Sequence, residues 1–236
     1  MMEDPVGTIT ANACGTLSLL EYTRNHNSVF LYLSSREIYG NTFLDIRCIR
    51  ETDYGTLDPT LVRSCYPESK RLSETLCSAY SHQYGVVTKI ARLAHTYGPD
   101  WPLGGGRVWG DFLLNEICGE NIILKSDGGS ELSFMYVADA VSALFFILLN
   151  SSEQVCNVSD STGVVQVREL AKLVSNLHPE KGLQAVFEVS NNGCNSTSKM
   201  DILDTTKIEN LGWKPLVPLP HGLLRTSKVF MDYLNR

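Results

Sequence analysis

The stretch VFLYLSSREIYG, residues 29–40, begins with five apolar side chains and continues into two serines and a turn. An apolar run of this length that stops at small polar residues is typical of a strand buried in a parallel sheet. A helical spacing of apolar residues follows over 66–84, and 86–93 has the composition of a second strand. Strand and helix signals that alternate in this way predict an α/β protein with a parallel sheet.

The same alternation continues along the chain. Apolar residues predict a strand over 155–158 and helices over 8–25, 111–118, 137–149 and 165–177. From about residue 101 onward the elements are shorter and the loops longer, beginning with three consecutive glycines at 104–106. We therefore predict a sheet domain over 1–100. Residues 101–236 are expected to form mainly a smaller lobe, interleaved with the last elements of the sheet.

The composition argues against nucleic acid and membrane as partners. The net charge is −6, so the chain lacks the basic surface that binds phosphates along a nucleic acid. No apolar run reaches the ~18 residues of a membrane-spanning helix. The first residues lack the basic start and apolar stretch of a secretory signal.

The cysteines and histidines show no spacing that is typical of a metal site. The seven cysteines include no Cys-x-x-Cys pair, and the five histidines include no His-x-x-x-His pair. We predict reduced thiols, no metal site and a cytoplasmic location.

Tyr66 and Lys70 are the residues best suited to carry chemistry. They are four positions apart within a predicted helix, and positions i and i+4 lie on one helix face. An ammonium close to a phenol stabilises the phenolate, which makes the tyrosine a usable acid and base. The motif is short and occurs by coincidence in many chains, so its meaning depends on the segments around it.

Several segments around this pair carry a family resemblance. In their order and spacing they resemble the extended short-chain dehydrogenases/reductases of the NAD-dependent epimerase/dehydratase group, whose members show Ser-Ser/Thr-x-x-Val-Tyr-Gly, then Tyr-x-x-x-Lys, then Arg-x-x-Asn-x-Tyr-Gly-Pro. The resemblance implies part of a Rossmann-type doubly wound parallel sheet with a smaller C-terminal substrate-binding lobe. The segments that carry it are residues 12–16, 34–40, 66–70, 92–99, 127–128, 133–139 and 211–215.

The resemblance implies a role for each residue at the predicted active centre. Tyr66 would exchange the proton of the 4-hydroxyl of a nucleotide sugar while hydride passes to NAD. Lys70 would hold the nicotinamide ribose and stabilise the Tyr66 phenolate, and Ser34 would contribute to cofactor binding. Ser35 would hydrogen-bond the same sugar oxygen as Tyr66. The alternative for Ser35 is a purely structural cap at the end of the strand.

Glu37 bears on the type of reaction. It lies where dehydratases and decarboxylases of the family carry a catalytic glutamate, and the alternative is a solvated carboxylate in a turn. Arg36 lies where 4,6-dehydratases carry an aspartic acid, and arginine cannot serve as an acid at neutral pH, which argues against 4,6-dehydration. The segments 63–66, 70–71 and 106–108 look like those of UDP-glucuronate decarboxylases.

Two departures from the family pattern affect the predicted substrate site. The asparagine before Thr/Val-Tyr-Gly-Pro is His95 in this chain, and an arginine that relatives place near the phosphates is Leu132. Loss of a cation opposite a pyrophosphate removes charge-assisted hydrogen bonds. We predict His95, Arg107 and Lys199 as substrate contacts. The alternative for Arg107 and Lys199 is that they are surface charges.

The glycine-rich turn that holds a dinucleotide has no counterpart in the sequence. Such a sheet begins with a strand, a Gly-x-Gly-x-x-Gly turn and a helix, whereas Gly7 and Gly15 are isolated and no apolar strand precedes them. We expect that two to three βα units at the front of the family fold are missing. The acidic residue that distinguishes NAD from NADP belongs to that part, so the sequence leaves both cofactors open, with NAD favoured by the resemblance.

Three functions are compatible with these observations. The favoured one is an NAD-dependent nucleotide-sugar epimerase, dehydratase or decarboxylase that acts through transient oxidation at sugar C4, with decarboxylation preferred. The second is a truncated or catalytically silent family member that acts only as a subunit or not at all. A simple carbonyl reductase agrees less well with the C-terminal segments. The resemblance also implies a homodimer formed through the helix that carries Tyr66 and Lys70.

Overall fold

The computed structural model describes residues 2–41, 48–99, 101, 103–188 and 202–234. The chain divides into two compact units. The first comprises Met1–Ala94, Val141–Val158 and Leu203–Lys214, and the second comprises His95–Ala140, Ser159–Ile202 and Pro215–Arg236.

Helices and strands alternate along the described residues. The helices are α1 (Pro5–Asn25), α2 (Cys65–Tyr84), α3 (Val108–Cys118), α4 (Val137–Asn150), α5 (Val167–Ser175), α6 (Thr206–Asn210) and α7 (Leu219–Leu234). The strands are β1 (Val29–Ser35), β2 (Cys48–Ile49), β3 (Val87–Leu93), β4 (His95–Tyr97), β5 (Ile122–Leu124), β6 (Glu131–Tyr136), β7 (Val155–Val158), β8 (Val164–Gln166), β9 (Ala185–Phe187) and β10 (Ile202–Leu203). Single-turn helices span Arg36–Tyr39, Val62–Ser64 and Pro179–Lys181.

A parallel sheet forms the centre of the first unit. Its strand order is β1-β3-β7, and β1 runs beside β3 with Val29 opposite Val87 and Ser35 opposite Leu93. The helices α1 and α2 pack on this sheet through a buried apolar cluster. The cluster comprises Leu20, Tyr32, Cys77, Tyr80, Val86 and Ile90. The α/β class with a parallel sheet, predicted from the sequence, is confirmed.

The helix α1 begins three residues before the predicted start. The carboxylate of Asp4 accepts a hydrogen bond from the backbone N–H of Gly7 (2.8 Å), and Pro5 occupies the first helical position. A cap followed by proline at this position stabilises a helix start without any apolar periodicity. Polar contacts then join α1 to α2, where the Asn12 side chain donates to Ser69 Oγ (2.9 Å) and Ser73 Oγ donates to the Asn12 carbonyl (3.0 Å).

The second unit contains short strands around its own core. The strand β6 pairs with β4 in parallel and with β8 antiparallel, and β5 pairs with β9 in parallel. The helix predicted over 165–177 begins at Val167, because 164–166 belong to β8. The helix α7 was not predicted, since proline and glycine lie in its first turns at 220 and 222. The core of the second unit includes Tyr97, Trp109, Phe112, Leu113, Phe134, Leu170 and Leu223.

The described residues offer no candidate for a membrane-spanning helix or a metal site. None of the helices described by the structure is both long and apolar enough to cross a membrane. Within the same residues, no group of three or more histidine, cysteine, aspartate or glutamate side chains is arranged to hold a metal ion.

Candidate active site

The first unit places Tyr66 and Lys70 at the start of α2, beside the end of β1. Tyr66 is the second residue of the helix and Lys70 the sixth, so both lie on one helix face. The ammonium of Lys70 donates a hydrogen bond to the carbonyl of Leu33 (2.8 Å) and lies 5.8 Å from the centre of the Tyr66 ring. The geometry therefore brings a phenol and a cation to one place, as the spacing in the sequence predicts.

Burial perturbs the titration of Lys70. The surrounding protein removes water from the ammonium and lowers the pKa of Lys70 below its ordinary value, while the negative charge of Glu74 opposes this shift. The direction of the shift follows from the loss of water around a charged group, which disfavours the charged form.

Ser34 and Ser35 end the strand β1 and have different surroundings. Ser35 Oγ accepts a hydrogen bond from the backbone N–H of Glu37 (3.2 Å) and so caps the single-turn helix that follows. Ser34 is 4% exposed, and its hydroxyl has no hydrogen-bond partner among the described residues. The structural cap considered for Ser35 is present. The cap uses Ser35 Oγ only as an acceptor, so its hydroxyl proton is available to a ligand.

Glu37 lies in the single-turn helix directly after Ser35. Its carboxylate accepts a hydrogen bond from the guanidinium of Arg63 at 2.8 Å, and both side chains are partly exposed. Glu37 therefore has an ion-pair partner at the surface, and its catalytic role remains a prediction. The family resemblance includes the segment 63–66, which contains Arg63, but it implies no role for this residue.

Arg71 connects the helix α2 to the turn after β1. Its Nε donates to the carbonyl of Ile38 (2.6 Å) and its Nη2 donates to the carbonyl of Gly55 (2.9 Å). Because Arg71 follows Lys70 directly in α2, the same helix turn holds both the cation and the turn that carries Glu37. Sequence reasoning missed this role, since the carbonyls that Arg71 contacts are brought close only by the fold.

A buried polar network supports the same turn from the other side. Arg92 in β3 forms an ion pair with Glu74 (2.7 Å) and donates to the hydroxyl of Tyr39 (2.9 Å), which itself donates to Asn157 (2.6 Å). An arginine inside a predicted buried strand signals that a partner exists, because a buried charge must be paired. The sequence alone does not say that Glu74 and Tyr39 are the partners.

The predicted substrate contacts fall in the second unit or outside the described residues. His95 lies half-buried in β4, with its ring centre 6.2 Å from that of Phe134. Arg107 is exposed at the start of α3, with its guanidinium 4.0 Å above the ring centre of Trp101. Lys199 lies outside the described residues. The structure therefore locates two of the three residues, and their contact with a substrate remains a prediction.

The second unit also contains an open cleft of about 520 Å³ that the sequence did not predict. Apolar side chains of α3, β5 and α5 line it, including Val108, Phe112 and Leu124. Lys125, Asp111 and Glu188 add charged groups to its lining, and Gly106 of the glycine loop lies at its edge. Five of the eleven lining residues are polar or charged, so the cleft offers both hydrogen-bonding groups and apolar contact.

Curated relatives of the chain are decarboxylases of a nucleotide sugar. UDP-glucuronic acid decarboxylase 1 of Xenopus tropicalis is 31% identical over 237 residues, which cover 99% of this chain and 54% of that protein. UDP-glucuronic acid decarboxylase 3 of Arabidopsis thaliana is 32% identical over 233 residues, covering 98% of this chain and 66% of that protein. The chain thus spans between half and two thirds of the length of these relatives.

Solved structures with the same fold are nucleotide-sugar enzymes. UDP-glucose 4-epimerase of Thermotoga maritima, solved with UDP-glucose, superposes with a TM-score of 0.84 at 24% identity over 99% of this chain and 73% of that one. UDP-glucose 4-epimerase of Thermus thermophilus, solved with NAD, gives 0.78 at 26% identity over 97% and 72%. These similarities confirm the predicted Rossmann-type fold.

A family model decides the relationship. The model of the NAD dependent epimerase/dehydratase family matches residues 1–159 of the 236 in the chain. The matched part includes β1, the turn that carries Glu37, and the whole of α2 with Tyr66 and Lys70. The resemblance predicted from the sequence motifs is therefore confirmed. The chain belongs to the NAD-dependent epimerase/dehydratase family.

Proposed function

We propose that this chain carries the acid/base centre of an NAD-dependent enzyme that modifies a nucleotide sugar, and that the reaction is decarboxylation of a nucleotide-linked uronic acid. The observation that carries the proposal is the placement of Lys70, whose ammonium lies beside the Tyr66 ring and on the carbonyl of Leu33. The names of the curated relatives support a uronic acid as the substrate.

The residues that would hold the reactive end of NAD are Lys70 and Ser34. Lys70 offers ammonium protons, and Ser34 offers a buried hydroxyl that has no protein partner among the described residues. A buried hydroxyl without a partner costs free energy unless a ligand or water satisfies it, so this position fits a bound polar group. NAD, when bound, would supply the acceptor for a hydride from the sugar.

Tyr66 would act as the base and Ser35 as the hydrogen-bond donor at the sugar 4-hydroxyl. The Tyr66 phenolate, stabilised by the charge of Lys70, would take the hydroxyl proton as the C4 hydrogen leaves as hydride. A ketone at C4 turns a carboxylate on C5 into a β-keto acid, which loses carbon dioxide and leaves the electron pair in an enolate. C5 of the enolate would then take a proton from water, which restores the C4 ketone. Tyr66 would then return its proton to the C4 oxygen when hydride is transferred back.

Glu37 would assist the step that distinguishes decarboxylation from epimerisation. Arg63 holds its carboxylate at 2.8 Å, and Ser35 bonds its backbone N–H, so Glu37 is fixed to the same turn as the proposed donor. Arg36 cannot act as the acid that a 4,6-dehydration requires. These residues favour decarboxylation over dehydration within the family.

We propose that His95, Arg107 and Lys199 contact the substrate. We also propose that the open cleft in the second unit accommodates a nucleoside. Val108, Ile123 and Val167 are the partly exposed apolar residues of its lining, and they suit the face of a planar base. Titration of UDP into the protein, followed by calorimetry, tests this assignment. Ile123→Ala is expected to weaken binding of UDP, whereas an exposed apolar residue elsewhere, Leu149→Ala, is expected to leave it unchanged.

We further propose that the chain forms a homodimer through α1 and α2. Leu17, Leu19 and Tyr22 of α1 and Leu72 of α2 are large apolar side chains that the single chain leaves exposed. Exposed apolar groups concentrated on two adjacent helices are characteristic of a protein interface. Light scattering after size-exclusion chromatography is expected to give twice the mass of one chain, and Leu19→Glu is expected to give one.

Turnover of UDP-glucuronate in the presence of NAD tests the proposed reaction. The expected products are carbon dioxide and a pentose linked to UDP, detected by mass spectrometry. Tyr66→Phe and Lys70→Met are expected to abolish turnover, while Tyr54→Phe at an exposed position serves as the control. If no nucleotide is released from the denatured protein, NAD does not stabilise the fold, and no product forms, the chain acts instead as a silent family member or as a subunit.

A further inference from the structure

The ammonium of Lys70 is unusually short of partners for a partly buried charge. Its one hydrogen bond in the described part of the chain goes to the carbonyl of Leu33 (2.8 Å). No carboxylate among the described residues lies within ion-pair distance of it. Partial burial of a charge without an ion-pair partner is costly. The negative charge of Glu74 offsets part of this cost, and the aromatic rings beside the ammonium are the other groups that can contribute.

The aromatic ring of Tyr32 lies beside the ammonium of Lys70. The ammonium lies over the ring of Tyr32, 4.8 Å from its centre, which is closer than the 5.8 Å to the ring of Tyr66. A cation within about 6 Å of a ring centre is attracted by the electron-rich face of the ring. Tyr32 therefore provides electrostatic stabilisation to Lys70 that does not depend on Tyr66.

The side chain of Tyr32 is held in place by the buried apolar cluster of the first unit. It is 7% exposed and belongs to the buried cluster that includes Leu20, Cys77 and Ile90. Burial raises the pKa of Tyr32 to about 12, with smaller contributions from neighbouring groups, so its phenol stays protonated at neutral pH. Tyr32 is thus a fixed and neutral ring, and it does not compete with Tyr66 as a second proton carrier.

We propose that Tyr32 is a positioning residue for Lys70, and that the face of its ring keeps the ammonium charged and directed towards the end of β1. The importance of this for catalysis rests on the function proposed above. The interaction itself is a property of the chain without cofactor or substrate. The competing interpretation is that Tyr32 only fills the core and that its distance from Lys70 is incidental.

Fluorinated rings at position 32 separate these two interpretations. Successive fluorination of phenylalanine withdraws electrons from the ring face and weakens its attraction for a cation, while the shape of the ring hardly changes. The variants are Tyr32→Phe and the same position occupied by monofluoro- and trifluorophenylalanine. Because the ring remains, these variants keep the core filled, which truncation to alanine would not do.

The titration of Lys70 is the quantity to measure. Lysine labelled with ¹³C at Cε reports the charge of each amine by NMR, and Lys70→Arg identifies the signal. We expect Tyr32→Phe to leave the titration nearly unchanged. Trifluorophenylalanine is expected to raise the neutral fraction of Lys70 at a given pH about threefold, in proportion to the weakened cation–π attraction. The same series at Tyr80, which lies in the same buried cluster, is the control and is expected to have no effect on Lys70.

A titration of Lys70 that is identical in all ring variants would overturn the proposal, and so would an equal effect from position 80. Neither measurement needs NAD or a sugar. A chain that proves inactive would therefore remove the proposed function but leave this test intact. If the chain is active, the pH profile of kcat is expected to shift in the fluorinated series in the same direction as the titration of Lys70.

Discussion

The guanidinium of Arg63 lies 2.8 Å from the carboxylate of Glu37 and joins two segments that are 26 residues apart. Arg63 belongs to the single-turn helix Val62–Ser64 just before α2, and Glu37 belongs to the turn after β1. Both side chains are partly exposed, and an exposed ion pair contributes at most about 1 kcal/mol to folding. The effect of this pair is therefore expected in the orientation of Glu37 and not in stability.

Replacement of Arg63 should reduce turnover without loss of stability. We expect Arg63→Gln to lower kcat about tenfold or more, because a misplaced catalytic group reacts slowly. Arg63→Lys should recover part of the loss. In the Glu37→Gln background the same change should have no further effect, since the carboxylate that Arg63 orients is absent. Steady-state kinetics and thermal unfolding measure these effects.

The control for Arg63 is Arg50, which pairs with Asp53 on another exposed segment. Arg50→Gln is expected to leave both kcat and the melting temperature unchanged. If Arg63→Gln lowers kcat equally with and without the Glu37 carboxylate, then Arg63 acts on some other group and the positioning role is wrong.

The ion pair between Arg92 and Glu74 should behave in the opposite way, because it is buried. Removal of one partner leaves an uncompensated charge in the core, at a cost of about 3 kcal/mol or more. We expect Glu74→Gln to lower the free energy of unfolding by about this amount, as measured with urea. The exposed pair of Glu169 and Lys172 supplies the control, and Glu169→Gln should change stability by less than about 0.5 kcal/mol.

Arg92 also shows how far the sequence could be interpreted. Its position in an apolar strand predicts burial, and Glu74 lies four residues after Lys70 on the predicted helix face. That β3 and α2 bring these two side chains together depends on tertiary packing, which no local pattern contains. The contacts of Arg71 and the cation–π contact between Lys70 and Tyr32 also depend on tertiary packing. The sequence names candidate residues for the site but not the groups that contact them.

The helices and strands also differ in how well the sequence predicts them. The strands β1 and β3 and the helix α2 were predicted to within two residues, because each has a clear apolar pattern and a polar end. The three-residue strands β4, β5 and β8 are too short for any periodicity to appear. Their existence depends on pairing with segments far away in the chain, so they could be found only in the structure.

The buried carboxylate of Glu116 predicts how stability depends on pH. Burial alone would raise its pKa, but hydrogen bonds from Lys181, Ser227 and His178 outweigh burial and leave the pKa of Glu116 below its ordinary value. A carboxyl with a depressed folded-state pKa stabilises the protein above its unfolded-state pKa. This contribution is lost as the pH falls through the lower, folded-state value.

Urea unfolding between pH 7 and pH 3.5 measures this dependence. The free energy of unfolding is expected to be steady near neutral pH and to decline below the ordinary carboxyl pKa of 4.5. Glu116→Gln should be less stable at pH 7, because it leaves the ammonium of Lys181 without a counter-charge, and its decline at low pH should be shallower. A variant with the same acid slope as the native chain would show that other carboxylates dominate.

Gly40 should tolerate no side chain, for two separate reasons. Its φ of +63° lies in the left-handed region that favours glycine, and a Cβ at this position would collide with the carbonyl of Thr56 and the side chain of Leu57. Gly85 at the end of α2 has a similar φ of +71° but open space around it. Gly85→Ala therefore incurs only the backbone cost of about 1 kcal/mol, whereas Gly40→Ala adds a collision with backbone atoms that cannot move freely.

Urea unfolding of the two glycine variants measures this difference. The larger loss of stability is expected for Gly40→Ala. That variant should also lose turnover, because the turn that carries Glu37 is displaced. Equal losses at the two positions would mean that the loop around Thr56 moves aside without cost.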